Sequence, residues 1–453
     1  MMDFNGKHVL VAGLGSSGLS VIRTLGDRGA VLTVHDIKQP KELHNSLAQF
    51  ENKVECTQLL GAELEHAPAN LDMVVVSPGI PLDKPWIQEC RQKGVPVLGD
   101  IELFFRLLPE EVPVIGISGT NGKTTVTSLL GHMLNSAGYA AFVGGNIGTP
   151  ALSFYLTPKS YATAVLELSS FQLDTTETMK LDVAILMNVS PDHIDRYGTF
   201  EAYRNSKARL FMNQSDDQMM VINGDDPEAL EAAKQGRGQV YRFGRDEHVG
   251  KGAFYRDGVI TLKDEGETLQ FFTRRSSLVG DANIDNMMAV ILAARALGLS
   301  HAEIDHALST FQGLPHRMEV VGEKHKVTFI NDSKATNPHA VQKALAGMGR
   351  PVILLAGGSD KGLEYTSLRQ TVAKNVRLAL LFGQCAPALE RDLSGCCPIT
   401  RCQDMQEAFA LAVKTAEPGD VVLLSPACAS FDQFENYRHR GDVFRGLVQQ
   451  YLE

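Results

Sequence analysis

The sequence predicts an α/β protein built from three consecutive α/β domains. Strand-like apolar runs alternate with helix-like segments along most of the chain, and this pattern indicates parallel sheets with crossover helices. The length of 453 residues is too great for a single hydrophobic core. Polar, glycine-bearing segments follow several of the apolar runs, and ligands bind at these strand ends in such sheets.

The first predicted domain covers residues 1–98. Its motif GLGSSG, with Gly13, Gly15 and Gly18, follows a strand-like run and precedes a helix-like segment, and Asp36 ends the next run. Glycines here permit close backbone approach, and a helix N-terminus receives a diphosphate. The motif therefore predicts a nucleotide diphosphate, which NAD or a UDP-linked ligand would supply equally well. The alternative is a tight strand-to-helix turn without a ligand.

The second predicted domain covers residues 99–313. It opens at VPVIGISGTNGKTT and continues through the apolar runs of ATAVLELSS, DVAILMNVS and QMMVING, each followed by polar residues. The pair Asp257-Gly258 predicts a β-hairpin turn. Helical patterns from about Asn283 to Phe311 end this part of the chain.

The segment GTNGKTT predicts an ATP site, although it is not a regular Walker A motif because Ile117 stands where that motif needs glycine. The required parts remain. Gly119 and Gly122 free backbone N–H groups, Lys123 suits the β- and γ-phosphates, and Thr124 suits Mg²⁺. A coincidental glycine-rich turn would rarely carry Lys and Thr in these places. The predicted ATP loop comprises Gly119, Thr120, Asn121, Gly122, Lys123, Thr124 and Thr125.

Two further side chains follow apolar runs of the second domain. Glu167 ends the run in VLELSS, where a carboxylate projects into the cleft, and His193 follows the run in DVAILMNVS. We favour a catalytic or metal-binding role for His193 over that of a structural histidine. Asp192 and Asp195 flank it, and either orienting its ring or capping a turn would suit them.

Lys207 lies in a helix-like segment at a position where an apolar residue is expected. Burial would lower the pKa of its amine, and a neutral amine can react with CO₂ to form a carbamate. The alternative is a lysine whose stem covers the apolar stripe while its charged end reaches water, and the residues alone favour it. The stripe at helical spacing consists of Phe200, Tyr203, Leu210 and Phe211.

The third predicted domain covers residues 314–453. The loops NDSKATNP and GGSDKG each follow a strand-like run and mix Asp with Lys, so we favour an anionic-ligand site over a pair of solvated turns. The loop SPACASFDQF is rich in small and hydroxyl residues, as a substrate-lining loop would be. Cys428 has no base nearby in this loop, and we interpret it as a packing residue.

Composition excludes several classes of protein. A formal net charge of −10 argues against a nucleic-acid or anionic-membrane surface. No segment has the pattern of a signal peptide or a membrane span, and seven scattered cysteines fit a reducing compartment. We expect a cytoplasmic monomer. A zinc site is disfavoured because paired spacing and histidines are missing from the cluster Cys385, Cys396, Cys397 and Cys402.

In this order, the motifs resemble those of the Mur ligases, the ATP-dependent amino-acid ligases of peptidoglycan synthesis. The motifs are GDIELF, GTNGKTT, GGNIG, LELSSFQL, DHIDRY, GLPHRME, INDSKATN and SPACASFDQF, and the match covers essentially the whole chain. The resemblance implies a Rossmann-like N-terminal domain for UDP and a P-loop ATPase-like central domain. It also implies a Rossmann-like C-terminal domain for ATP and the amino acid.

The implied reaction joins D-glutamate to UDP-N-acetylmuramoyl-L-alanine at the expense of ATP. The substrate carboxylate would attack the γ-phosphate to form an acyl phosphate, and the amine of D-glutamate would then displace phosphate. The implied catalytic group is Lys123, Glu167, His193 and Lys207. Thr124 and Glu167 would hold one Mg²⁺ ion, and His193 and a carbamate on Lys207 would hold a second.

The resemblance also assigns the binding residues. For ATP it adds Asn283, Asn286, Arg317 and Asp332. For D-glutamate it gives Lys334, Thr336, Lys361, Ser430 and Tyr437. For the UDP-linked substrate it gives Ser16, Ser17, Asp36, Ile37, Lys38, Ser77, Gly79 and Asn146.

Four alternatives stay open at this point. Another Mur ligase or a folylpolyglutamate synthase would share the P-loop core, although the latter lacks an N-terminal nucleotide-sugar domain. The missing Asp-Asn-Pro-Arg motif of lysine- and diaminopimelate-adding Mur ligases favours an acidic amino acid. An NAD(P)-dependent oxidoreductase would explain GLGSSG and Asp36 but not the ATP loop. A non-catalytic nucleotide-binding module would not need the full set of ATP-site residues.

Overall fold

The computed structural model describes residues 3–48, 56–157, 160–247, 251–264, 266–278, 280–359, 362 and 364–453. Lys361, predicted to contact D-glutamate, lies outside the described residues. The chain forms two compact units. The first comprises Met1–Phe272 with Asn286–Leu308, and the second comprises Thr273–Asp285 with Ser309–Glu453.

The first unit contains a parallel sheet whose five described strands lie in the order β3-β2-β1-β4-β5. The order reverses between β1 and β4, and loops after these two strands therefore open a crevice at the sheet edge. The bounds are β1 His8–Ala12, α1 Ser16–Gly26, β2 Val31–Asp36, α2 Pro40–Ala48, β3 Cys56–Leu60, β4 Met73–Val76, α3 Pro85–Gln92, β5 Val97–Gly99 and α4 Asp100–Leu107.

A second sheet in this unit has nine described strands in the order β14-β13-β12-β11-β10-β9-β6-β8-β7. The predicted hairpin at Asp257-Gly258 is confirmed, since β12 and β13 pair antiparallel across it. The strands are β6 Val114–Ser118, β7 Ala141–Gly145, β8 Thr163–Glu167, β9 Val183–Leu186, β10 Met219–Asn223, β11 Gln239–Gly244, β12 Gly252–Arg256, β13 Val259–Asp264 and β14 Glu267–Phe272. The helices that follow along the chain are α5 Lys123–Ser136, α6 Ser170–Leu173, α7 Ile194–Tyr197, α8 Phe200–Ala208, α9 Pro227–Ala233, α10 Asp281–Ala296 and α11 His301–Thr310, with 3₁₀ turns at Ala151–Tyr155 and Arg209–Phe211. The 3₁₀ turn Thr273–Arg275, the first residues of α10 and the last two of α11 belong to the second unit.

The second unit contains a sheet whose six described strands lie in the order β15-β16-β20-β17-β18-β19. Within this sheet, β15 pairs antiparallel with β16, and the other described pairs are parallel. The bounds are β15 Glu319–Lys324, β16 Val327–Asn331, α12 Pro338–Ala346, β17 Val352–Gly357, α13 Arg369–Asn375, β18 Val376–Phe382, α14 Ala386–Leu393, β19 Ile399–Arg401, α15 Met405–Thr415, β20 Val421–Leu424 and α16 Tyr437–Leu452, with a 3₁₀ turn at Thr366–Leu368.

The predicted α/β fold is confirmed, and one difference concerns how its first two sheets pack. A single apolar cluster includes Val9 and Val34 of the first sheet, Phe104 of α4, and Ala164 and Leu166 of the second sheet. Because α4 carries apolar side chains to both sheets, they share one core and form one unit. The domain boundaries at 98/99 and 313/314 stay predictions.

The sulfur atoms of Cys385 and Cys428 are in contact, and both side chains are buried. The reason is topological. Cys428 follows β20 and Cys385 follows β18, and parallel strands bring these two loops to the same sheet edge. The interpretation of Cys428 as a packing residue fits its burial. In the described part of the chain, no helix is both long and apolar enough to span a membrane.

We predict that Gly18→Ala destabilises the first unit. An added Cβ would lie 1.9 Å from the Gly13 carbonyl oxygen, so the backbone must shift. The expected loss in free energy of unfolding is about 1–3 kcal/mol in chemical denaturation, despite the better helix propensity of Ala. Gly15→Ala is the matched control, because its Cβ would meet nothing within 4 Å. Equal destabilisation by both substitutions would contradict the prediction.

Candidate active site

The predicted ATP loop joins β6 to α5 and folds around its glycines. Gly119 has φ +149° and Gly122 has φ +87°. Residues with a Cβ rarely adopt such positive φ values. Lys123 opens α5, and its Nζ donates to the carbonyl oxygens of Gly119 (2.8 Å) and Thr120 (3.0 Å). The ammonium is thus folded back over the loop, at the positive end of a helix dipole where phosphate groups bind.

Asn188, which sequence reasoning missed, fixes the shape of this loop. Its Oδ1 accepts from the Asn121 N–H (2.8 Å) and its Nδ2 donates to the Asn121 carbonyl (3.1 Å). The Thr120 hydroxyl donates to the Ser190 carbonyl (3.2 Å) and accepts from the Ser190 N–H (3.0 Å). Asn188 and Ser190, in the segment after β9, therefore fix the conformation of the ATP loop through hydrogen bonds. The sequence signal was the polar stretch NVS directly after a buried strand.

Lys207 is buried at the same loop, with only 1% of its surface exposed. Its Nζ donates to the Gly119 carbonyl (2.9 Å) and lies 4.7 Å from the centre of the Tyr203 ring. Burial first, and then repulsion from Lys123, hold the pKa of this amine well below its usual range. The amine of Lys207 does not reach water, so the alternative of a lysine that extends to solvent is wrong.

His193 lies in the segment between β9 and α8 and remains exposed. Its φ of +51° is in the left-handed region, where it precedes the single turn α7. Its ring centre lies 4.7 Å from that of Phe171 and 6.2 Å from that of Tyr203. Tyr203 therefore touches both predicted residues of the second metal site, His193 on one side and Lys207 on the other. The Asp192 carboxylate lies 3.7 Å from His193 Nε2.

Glu167 ends β8 and is 3% exposed. Its Oε1 accepts from Asn146 Nδ2 (3.0 Å), while its Oε2 is buried without a hydrogen-bond partner among the described residues. Such an oxygen is uncommon, because buried polar atoms are normally paired. A hard cation that keeps water and phosphate ligands would fit it. No described group of three His, Cys, Asp or Glu side chains is arranged to hold a metal by itself.

The remaining residues predicted for ATP fall into both units. Asn286 lies beside the loop, where a Cβ added at Gly122 would meet its Oδ1 at 2.6 Å. Thr124 and Thr125 lie in the first turn of α5, half-buried and buried respectively. The second unit contains Asn283, Arg317 and Asp332.

The loops predicted for the UDP-linked substrate follow β1, β2 and β4. The Ser17 hydroxyl donates to Asp100 (2.8 Å) and the Ser77 hydroxyl donates to the Gly13 carbonyl (2.8 Å). Asp36 accepts from the Leu14 N–H (2.7 Å) and thereby closes the glycine loop. These three side chains organise the loops through their own hydrogen bonds. The more open positions in the same loops are Ser16, Ile37, Lys38 and Gly79.

Asp100, also missed by sequence reasoning, joins the substrate loops to the second sheet. Its carboxyl accepts from Ser17 at the start of α1 and from Gln172 Nε2 of α6 (3.3 Å). Burial raises the pKa of this carboxyl, with the hydrogen bonds from Ser17 and Gln172 partly opposing it. The motif GDIELF did not predict that Asp100 contacts Ser17 and Gln172, because both residues are distant in sequence.

In the second unit, Asp332 follows β16 and is buried. Its carboxyl accepts from the Ser425 hydroxyl (2.8 Å) and the Met318 N–H (3.3 Å). Burial raises its pKa to about 7, although the two hydrogen bonds and the charge of Arg317 oppose the shift. Arg317 lies between His316 and Met318, which both have positive φ (65° and 47°). The backbone is therefore strained on both sides of this predicted ATP contact.

Among the described residues predicted for D-glutamate, Lys334 and Thr336 lie in the loop after β16, Ser430 lies in the loop after β20, and Tyr437 opens α16. Lys334 Nζ lies 4.1 Å from the centre of the Tyr437 ring. Burial would raise the pKa of the Tyr437 hydroxyl, but the hydrogen bond from Arg438 and the charge of Lys334 lower it overall. Ser430 is 1% exposed, and its Oγ has no hydrogen-bond partner in the described chain. Thr336 is half-buried in the loop after β16.

Arg440, on α16, holds these loops together and was missed by sequence reasoning. It is fully buried, and its guanidinium donates to Ser333 Oγ (3.0 Å) and Ser333 O (2.9 Å). It also donates to the carbonyls of Gly357 (3.2 Å), Ala429 (3.2 Å) and Cys428 (3.1 Å). Burial lowers its pKa to about 10. One side chain therefore fixes the backbone after three strands.

We predict that Arg440→Met destabilises the second unit by at least about 3 kcal/mol, because several buried carbonyls would lose their donor. Arg440→Lys should rescue little, since an ammonium cannot reproduce the planar fork. Chemical denaturation measures both. The control is Arg391→Met, whose side chain is 70% exposed. Wild-type stability in Arg440→Met would show that the three loops do not depend on this residue.

Three family models match consecutive parts of the chain. Residues 7–99 match the N-terminal domain of MurD-like Mur ligases, residues 117–294 match the Mur ligase middle domain, and residues 316–428 match the Mur ligase glutamate ligase domain. The matches therefore extend from the GLGSSG loop to the loop that contains Cys428.

Curated relatives extend over the whole chain. The UDP-N-acetylmuramoylalanine–D-glutamate ligase of Koribacter versatilis is 39% identical over 453 residues, covering 100% of this chain and 99% of its own. The enzyme of the same name from Desulfosudis oleivorans is 40% identical and covers 100% of this chain and 98% of its own. A crystal structure of MurF from Acinetobacter baumannii has a TM-score of 0.62 at 16% identity, covering 97% of this chain and 93% of that one, which shows the shared fold.

Proposed function

Because the chain belongs to the Mur ligase family, we propose that it joins D-glutamate to UDP-N-acetylmuramoyl-L-alanine with ATP, in the cytoplasm and as a monomer. The observation that carries the proposal is the sequence identity of 39% and 40%, over the full chain, to two relatives named as D-glutamate ligases. The ATP loop with its buried lysine supports it, because an oxidoreductase or a passive nucleotide-binding module would not need that arrangement. The position of the loop between β6 and α5 suits ATP.

In this proposal the chemistry begins with a carboxylate that is a poor acyl donor. ATP converts it to an acyl phosphate, and the amine of D-glutamate then displaces phosphate. Lys123 neutralises charge on the transferring phosphoryl group, and the N–H groups at the start of α5 orient it. Asn188 and Thr120 keep the loop in a fixed shape, so little reorganisation is needed during the transfer.

Thr124 and Glu167 are the residues we assign to one Mg²⁺ ion. The support is the buried, unpartnered Oε2 of Glu167 together with the hydroxyl-bearing first turn of α5. Asn146 holds the other Glu167 oxygen and would turn the carboxylate toward the ion. Mg²⁺ supplies charge compensation for the phosphates when it is bound.

His193 and a carbamate on Lys207 are the residues we assign to a second Mg²⁺ ion. An unmodified amine is a poor ligand for a hard cation, whereas a carbamate presents anionic oxygen. The reaction balances as R–NH₂ plus CO₂ giving R–NH–COO⁻ plus H⁺, and it needs the neutral amine. Burial of Lys207 beside Lys123 favours that neutral form.

For D-glutamate we propose a site in the second unit made of cations and hydroxyls. Its two carboxylates call for Lys334 and Lys361, and the buried hydroxyl of Ser430 offers a donor that no described group uses. The Lys334 ammonium lies over the Tyr437 ring, with Nζ 4.1 Å from the ring centre. Thr336 completes the group. We further propose that Asn283, Asn286, Arg317 and Asp332 contact ATP.

We predict that phosphate release from ATP in the presence of UDP-N-acetylmuramoyl-L-alanine depends on D-glutamate. L-lysine and diaminopimelate, offered separately at the same concentration, should give no release above background. L-lysine has an ammonium in place of the second carboxylate of D-glutamate, and diaminopimelate brings a second ammonium group to the lysine-bearing site. A coupled phosphate assay measures the rates. Release that depends on lysine or diaminopimelate, or no release with any acceptor, would refute the proposed specificity.

We predict that labelled ¹³CO₂ gives a carbamate signal in ¹³C NMR that is absent in Lys207→Ala. The signal should persist at neutral pH, where exposed lysines are protonated, and should fall as pH falls and the Lys207 amine gains a proton. Activity of Lys207→Ala should drop about 100-fold or more, and bicarbonate should partly restore CO₂-depleted wild type. Lys234→Ala, which removes a 71% exposed lysine, is the control. Full activity in Lys207→Ala would exclude the carbamate role.

A further inference from the structure

The segment of residues 190–198 depends on side chains for its position. Its only helix, α7, is one turn long, and its flanking residues His193 and Gly198 both have positive φ (51° and 72°). A single turn is not stable alone, because it has few hydrogen bonds of its own. The position of His193 is therefore set by what the neighbouring side chains of this segment contact.

Tyr197 attaches one side of α7 to the second sheet's helices. Its hydroxyl donates to Asp174 Oδ2 (2.8 Å), and the Ser206 hydroxyl of α8 lies 3.2 Å away. This contact fixes α7 to the central part of the chain. The Tyr197 ring also stacks on the Phe171 ring, with 5.9 Å between the ring centres.

Arg196 reaches from α7 to the loop after β4 in the first sheet. Its Nη1 donates to the Pro78 carbonyl (3.0 Å) and its Nη2 donates to the Ile80 carbonyl (3.4 Å). These carbonyls flank Gly79 and follow Ser77, the two positions assigned to the UDP-linked substrate. The guanidinium thus holds a predicted substrate loop by its backbone.

The same guanidinium is tied to His193 through one aromatic ring. Its Cζ lies 4.1 Å from the centre of the Phe171 ring, and that ring lies 4.7 Å from the ring of His193. A planar guanidinium can stack on a ring and donate two in-plane hydrogen bonds at once, whereas a lysine ammonium cannot. Movement of the loop after β4 would therefore be passed to the ring that His193 packs against.

We propose that Arg196 is a positioning residue that couples occupancy of the UDP-substrate loop to the position of His193. The inference rests on the proposed function, because that function identifies the ligand of the loop. Binding of the sugar nucleotide immobilises the backbone at Pro78 and Ile80, and Arg196 then immobilises the segment of residues 190–198. The substrate thereby orders the His193 segment before ATP reacts.

The test uses the full-length protein with UDP-N-acetylmuramoyl-L-alanine, without ATP or metal. Hydrogen–deuterium exchange should show that this ligand protects amides of residues 190–198 in wild type. In Arg196→Met and Arg196→Lys this protection should be lost, and calorimetry should show about tenfold weaker binding. Arg204→Met is the matched control, since Arg204 pairs with Glu228 (2.7 Å) on the far side of α8 and should leave both readouts unchanged.

Each outcome decides between the two proposals. If wild type binds the sugar nucleotide and protection of residues 190–198 persists in both Arg196 variants, or is missing from wild type, the coupling is wrong while the proposed function stands. If wild type does not bind the sugar nucleotide, the proposed function fails and the coupling fails with it. If Arg196→Lys alone retained binding and protection, a positive charge would be sufficient for the coupling. The proposed role of the planar guanidinium would then be wrong.

Discussion

The carbonyl oxygen of Gly119 accepts hydrogen bonds from two lysines, and the candidate active site depends on this arrangement. Lys123 approaches it from α5 and Lys207 approaches it from α8. Gly119 itself adopts φ +149°, which residues with a Cβ rarely adopt. Burial first, and then repulsion from Lys123, lower the pKa of the Lys207 amine at this shared oxygen. The two lysines therefore share one acceptor but differ in burial, since Lys207 is buried and Lys123 is half-buried.

Short-range patterns predicted the fold class and the positions of several side chains. The ATP loop, Glu167 at a strand end and Lys207 on an apolar stripe all follow from residues within a few turns of each other. The residues that hold these parts in place could not be found in this way. Asn188 is 67 positions from Asn121, Asp100 is 83 from Ser17, and Arg440 is 107 from Ser333. Such pairs are brought together only by sheet topology.

The first two sheets illustrate a second limit of sequence patterns. The alternation of strands and helices in the sequence predicts that parallel sheets form. It does not show whether two neighbouring sheets share one hydrophobic core. The helix α4 has apolar side chains on more than one face, together with the buried Asp100 and Glu102. It therefore packs within the common core of the first unit, and polar contacts through Asp100 and Arg196 add to that packing. The substrate loops and the ATP loop consequently belong to one compact body.

Arg440 affects how the amino-acid specificity of such an enzyme can evolve. Its hydrogen bonds go to the backbone of three loops and to one of their side chains, the Ser333 hydroxyl. Substitutions in those loops can alter the size and charge of the surface offered to an amino acid while the chain path stays the same. A descendant lineage could thus acquire a new acceptor by a few side-chain replacements, with no need to rebuild the framework that presents them.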